Sequence, residues 1–146
     1  NMMRDKLGLF GEDKNDKKLI NDLFNWMEKN KADYTNTFCN LMNINSHEVY
    51  KDNDFINWKN EWKKRSELNN STKEKQIKLM KKSNPIIIPR NHKVEEVLAD
   101  ADKGGFDKMK KLLDVIKNPY GNQTNIEEYQ LPAPSNNKKY QTFCGT

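Results

Sequence analysis

Few residues in this sequence could do chemistry: Cys39 and Cys144, His47 and His92, the adjacent carboxylates Glu95-Glu96 and Glu127-Glu128, and the pair Gly104-Gly105. The two cysteines lack zinc-type spacing and make no disulfide framework. Cys144, two residues from the C-terminus, reads as an exposed thiol free to reach a partner, whereas Cys39 beside Phe38 reads as an inert buried one. Neither histidine has a second ligand at metal spacing, so no metal site is expected. Neighbouring carboxylates diverge on a helix and read as solvated acids. Gly104-Gly105 lacks the third glycine and the preceding strand of a phosphate-cradling loop, and reads as a turn between helices. No nucleophile has a base at a readable distance, so no catalytic residue is expected in this chain. What remains is Arg90-Asn91-His92 at a helix start, where free N–H groups could face an anion or simply bond a neighbouring loop.

The stretch Asn84 to Leu98 positions that triplet. Pro85 and Pro89 fix their own φ and push Asn84 and Ile88 out of the α region, so residues 84–90 should be extended, with three isoleucines buried between the prolines. Asn91 then caps a helix whose Val94, Val97, Leu98 and Ala101 recur at i, i+3, i+4 and i+7.

Before it, MMRDKLGL reads as a helix without a cap, as if cut from a longer protein. Asn15 or Asp16 caps a helix to about Lys31 with Leu19, Ile20, Leu23, Phe24 and Met27 on one face. Asp33-Tyr34-Thr35 opens a short helix with Tyr34 and Phe38 one turn apart. Asn53 caps a helix carrying Phe55, Trp58 and Trp62, tryptophans at core or interface spacing rather than a base-stacking platform. Ser71 with Glu74 forms a capping box for a helix with Ile77 and Met80 inward. After Gly104-Gly105, the residues Phe106, Met109, Leu112, Leu113 and Ile116 make the next stripe, closed by Asn118-Pro119. From Tyr120 periodicity is lost and an extended tail is expected, pegged by Tyr120, Tyr129, Tyr140 and Phe143. The fold class is all-α: six or seven short helices, one extended Pro-bracketed segment (84–90), and an extended C-terminal tail.

Length fits one domain, and the core must be lean: of 146 residues, 34% are apolar and 32% charged. No window approaches a membrane span and no signal layout is present, so a cytoplasmic protein without a membrane partner is expected. The net charge of +5 comes from 26 basic and 21 acidic residues with interspersed signs, so a nucleic-acid partner is not expected, although Lys59, Lys63, Lys64 and Arg65, and Lys108, Lys110 and Lys111, cluster locally.

Several stretches resemble one family. MMRDKLGL near the start, DYTNTF at 33–38, the Trp58, Trp62 and Arg65 spacing, NPIIIPRNHKVEE at 84–96, NPY at 118–120 and the final YQTFCGT are similar, in order, to the C-terminal third of the selenoprotein O family. The resemblance implies a protein-kinase-like fold and transfer of AMP from ATP to Ser, Thr or Tyr hydroxyls of protein substrates. It places ATP, magnesium and the catalytic residues in a kinase-like part before Asn1, makes residues 1–119 a helical C-lobe extension and 120–146 its tail, and leaves this segment inactive without cofactors of its own. Cys144 matches the position of a redox-active cysteine or selenocysteine, which a disulfide could tie to the kinase-like part. Two departures stand out: Cys39 where the family commonly has arginine, and Gly105 where an aspartate usually precedes the Phe106 helix.

On that basis the segment is expected to brace the lobe, with Asp33, Tyr34, Thr35, Trp58 and Trp62 as interface residues and Arg90, Asn91 and His92 facing the lobe or an anion. An orphaned apolar patch is expected around Met2, Met3 and Leu7. The alternative is an autonomous basic helical module that binds nucleic acid or scaffolds another protein, without enzymatic activity.

Overall fold

A computed structural model describes residues 2–121 and 123–133. Among these the backbone forms eight α-helices, one 3-10 turn and no strand, in two compact units that part between Pro85 and Ile86. The division falls inside the Pro-bracketed segment rather than at 119.

The first unit holds α1 (Met2–Lys6), α2 (Asp16–Asn30), α3 (Tyr34–Leu41), the 3-10 turn Glu48–Lys51, α4 (Asn53–Glu67) and α5 (Lys73–Ser83). The predicted face of α2 supplies Leu19, Leu23 and Met27 to the core, joined by Trp26, Phe38, Leu41, Tyr50, Phe55, Trp58, Trp62 and Met80. Each such side chain, once buried, stabilises the fold by about 1.5–3 kcal/mol. The tryptophans also fasten helices together, because a buried indole N–H needs an acceptor. Trp58 Nε1 donates to Leu19 O at 2.8 Å and Trp62 Nε1 to Leu7 O at 2.9 Å.

Local signals start and stop these helices, with three corrections, the first being that Asn15 precedes α2 without a side-chain cap bond and Asp16 is already helical. The cap of α4 is Asp52, whose side chain accepts from Phe55 N, while Asn53 is already helical. The cap of α5 is Thr72, which accepts from Lys75 N, not Ser71. In both pairs either residue has cap chemistry, and the direction from which the chain arrives selects one. α1 stops at Gly8, whose φ of +66° only glycine adopts cheaply. A Cβ there would lie 2.6 Å from Gln76 Cγ and 2.8 Å from Met80 Cγ, so the missing side chain lets the turn lie against α5. Leu7 is fully buried while Met2 is 68% exposed, so no joint patch of Met2, Met3 and Leu7 exists. Leu7 and Leu9, which follow α1, pack into the core of their own unit.

The second unit holds α6 (Asn91–Asp102), α7 (Asp107–Ile116) and α8 (Glu127–Gln130). Of the three isoleucines expected inside, Ile86 and Ile87 are buried and Ile88 only partly, and the segment is held by Ile86 N–H to Pro119 O at 2.7 Å and by Gln130 Nε2 to Ile86 O at 2.8 Å. The other buried residues are Val97, Leu112, Val115, Ile126 and Tyr129. α8 sits within the stretch read as tail, and Tyr129 is one of its expected pegs. Tyr140 and Phe143 lie outside the described residues. The expected stripes of α6 and α7 are turned. Leu98, Phe106 and Leu113 are 52%, 55% and 47% exposed, because Leu112 and Val115 take the inward direction and Leu113 lies about 100° around the helix from Leu112.

Candidate functional site

The candidate residues of the first unit sit on α3 and its surroundings. Asp33 caps α3, accepting from Asn36 N at 2.9 Å, and its carbonyl takes the Thr37 hydroxyl at 2.7 Å. Tyr34, 42% exposed, packs its ring on Phe24 with centroids 6.4 Å apart, and lies 5.0 Å from the Phe38 ring. Thr35 is buried. Above these rings stands Lys6, its Nζ 5.6 Å from the Tyr34 centroid and 5.4 Å from that of Phe38. The same ammonium donates to Ser83 O at 2.9 Å, where the free carbonyls at the C-terminal end of α5 concentrate negative charge. Burial lowers the pKa of Lys6 and raises that of Tyr34.

Trp58 and Trp62 belong to the interior. They are 7% and 6% exposed, stacked 6.3 Å apart at 5°, with both N–H groups committed. They stiffen the unit and leave only a small fraction of their surface at the grooves they line. The residue that follows them one turn later has a role the sequence does not reveal. Arg65, grouped by sequence with surface lysines, points inward: Nε donates to Asp16 Oδ1 at 2.6 Å and Nη2 to Asp16 Oδ2 at 3.2 Å. Further bonds reach Asn69 Oδ1 and Phe10 O, so the guanidinium joins α4 to the turn before α2. Nothing short of the fold marks it, since its partner is 49 residues away.

Between α2 and α4 an open groove of about 850 Å³ is rimmed by cations and acids in equal number. Lys18 pairs with Asp22 at 2.6 Å, Lys29 with Asp54 at 3.5 Å and Lys64 with Glu61 at 2.7 Å. The charges cancel locally, so the groove selects no sign of ligand.

In the second unit the triplet begins α6, with one correction. Arg90 occupies the cap position without a side-chain cap bond, and Asn91 is the first helical residue. His92 follows in the first turn. Burial, then the charges of Lys93 and Arg90, lower its pKa despite the opposing Glu96 and Glu95, so at neutral pH it presents an uncharged imidazole. Cys39 is fully buried, as expected of an inert thiol, and Cys144 lies outside the described residues. Among the described residues no group of His, Cys, Asp and Glu could hold a metal ion, and no helix is long and apolar enough to cross a membrane.

Comparison with known proteins bears directly on this arrangement. The family model described as "Protein adenylyltransferase SelO" matches residues 1–117. A protein of Pelagibacter ubique named "Protein nucleotidyltransferase YdiU" is 53% identical over 148 aligned positions, which cover 100% of this chain and 31% of that protein. Proteins of the same name from Bacillus thuringiensis and Bacillus cereus are each 44% identical over 147 positions, covering 99% of this chain and 30% of theirs. The chain thus spans less than a third of the length of these curated relatives.

Proposed function

The chain belongs to the SelO family of protein adenylyltransferases, and from that premise we propose that it is the C-terminal helical region of such an enzyme, bracing a kinase-like catalytic part through the outer face of α7. In this reading the kinase-like part binds ATP and magnesium and passes AMP to Ser, Thr or Tyr hydroxyls of protein substrates. This segment contributes no catalytic group. Cys144 serves as a redox thiol: with a second thiol it forms a disulfide, releasing two protons and two electrons to an oxidant.

The observation that carries the bracing role is the outward stripe of α7. Phe106, at the cap of α7, and Leu113 stand seven residues apart and about half exposed, with the half-buried Met109 and Ile116 beside them. Water contact over such a face is unfavourable by about 25 cal/mol per Å², so a larger apolar surface covering it is favoured. Some two-thirds of the relatives' length lies outside the match, room enough for such a surface.

The experiment compares the full-length enzyme with its Phe106→Glu, Leu113→Glu double variant. Bracing predicts that AMP transfer to protein falls by about tenfold or more, while the 146-residue chain carrying the same changes keeps its melting temperature. Full activity in the variant overturns the bracing role. Millimolar ATP with magnesium should leave the melting temperature of the 146-residue chain unmoved, because the nucleotide site is placed elsewhere. A rise of several degrees overturns that placement.

A further inference from the structure

A second groove in the first unit is left unused by the reading above. It opens between α4 and α5 near the end of α3 and encloses about 550 Å³. Leu41, Met42, Trp62, Ile77 and Met80 give it an apolar floor. Its charged lining consists of Lys59, Lys63 and Lys73 against the single acid Glu67. Unlike the groove beside α2, no lysine here is in an ion pair among the described residues.

Two further features show what is missing. Lys59 is half sunk beside the Phe55 ring, 6.0 Å from its centroid, and donates to Asn40 Oδ1 at 3.4 Å. Burial and then the charge of Lys63 lower its pKa, as befits an ammonium short of anions. The Ser71 hydroxyl, also in the lining, is shielded from water and has no hydrogen-bond partner. Other polar groups nearby are occupied, with Gln76 on Ser66 Oγ and Asn69 on Gly8 O.

We propose that this groove docks an acidic peptide segment of a second protein, seating one or two aliphatic or aromatic side chains against Ile77 and Met42 and its carboxylates against Lys59, Lys63 and Lys73. Lys59 and Lys63 stand one turn apart along α4 and Lys73 opens α5, so positive charge rims the groove from both helices. A chain with carboxylates spaced along it matches a rim, and Ser71 Oγ can donate to one of its backbone carbonyls. Nothing in this proposal depends on the family reading or on the α7 face.

The probe is a short fluorescein-labelled peptide of leucines interleaved with glutamates, titrated into the 146-residue chain and followed by anisotropy. Its controls are the same peptide with serine for leucine, the same with lysine for glutamate, and vesicles rich in phosphatidylserine. Saturable binding of the first peptide alone is expected, weakened by about tenfold in Lys59→Glu, Lys63→Glu and several-fold in Lys73→Glu and in Ile77→Ser, with melting temperatures unchanged. Lys73 and Ile77 keep the test valid should the α4 changes disturb folding. No binding, equal binding of either control peptide, affinity untouched by these substitutions, or preference for the vesicles would each overturn the proposal.

Discussion

Asp16 and Arg65 meet in the first unit as a nearly enclosed ion pair, Oδ1 to Nε 2.6 Å, with side chains 7% and 9% exposed. Removing Arg65 leaves the Asp16 carboxylate with its solvation lost and only Arg4, 3.9 Å away, as counterion. Arg65→Met should therefore destabilise the chain by about 3–5 kcal/mol, and Asp16→Leu added to it should restore most of that. Urea unfolding of the two single variants and the double variant checks this. Additive losses would mean the pair is not coupled.

The same carboxylate sets an acid dependence. Burial pushes Asp16 up, but the Arg65 hydrogen bond, the Asp13 N–H and the charges of Arg65 and Arg4 together hold it below the usual carboxylate range. With the folded value depressed, its stabilisation is fully present above the unfolded value of about 3.9, and fades as pH falls through the folded one. Unfolding free energy should drop between neutral pH and about pH 3 more steeply for the parent chain than for Asp16→Asn. Denaturation curves across that range give the comparison, and parallel slopes would count against it.

Two glycines with similar φ separate strain from crowding. Gly8 and Gly11 have φ of +66° and +72°, yet a Cβ meets α5 side chains only at Gly8. Gly11→Ala should cost about 1 kcal/mol, the left-handed penalty alone. Gly8→Ala should cost roughly twice that or more, since Met80 must also move. Thermal unfolding ranks them, and equal losses would show that α5 yields freely.

His92 should titrate below the ordinary histidine range of about 6.5, since burial and the neighbouring Lys93 and Arg90 disfavour its cation. A lowered folded value means the unfolded chain takes the proton first, so this contribution to stability is present above about 6.5 and fades as pH falls. Proton NMR of the imidazole reads the midpoint directly, and Lys93→Gln should raise it. A midpoint above that of free histidine would sink the assignment.

Helix positions were legible where apolar spacing was regular, as in α2 with Leu19, Leu23 and Met27, or where a cap residue marked the start, as in α3 behind Asp33. The extended run Ile86-Ile87 followed from its two prolines. Arg65 was not legible, because a cation among Lys59, Lys63 and Lys64 looks like surface until the fold brings Asp16 to it. On α7 the sequence holds two overlapping apolar faces, one through Leu112 and Val115, the other through Phe106 and Leu113. Periodicity cannot rank them, since only the packed neighbours decide which turns inward. Family membership was readable from short ordered blocks such as PRNH, and the comparisons bear it out.

Near the boundary of the first unit, Lys6 Nζ donates to Ser83 O while Asn84 Nδ2 donates back to Lys6 O at 2.8 Å. The two extremities of this stretch are clasped, so the backbone between them is a nearly closed ring. A cut at the exposed Asn70, with the extremities bridged by a short glycine-rich joiner, would permute the order of α1 to α5 without moving any of them. The same clasp means that a stretching force applied across Lys6 and Asn84 would shear these bonds before it reached the tryptophans beneath.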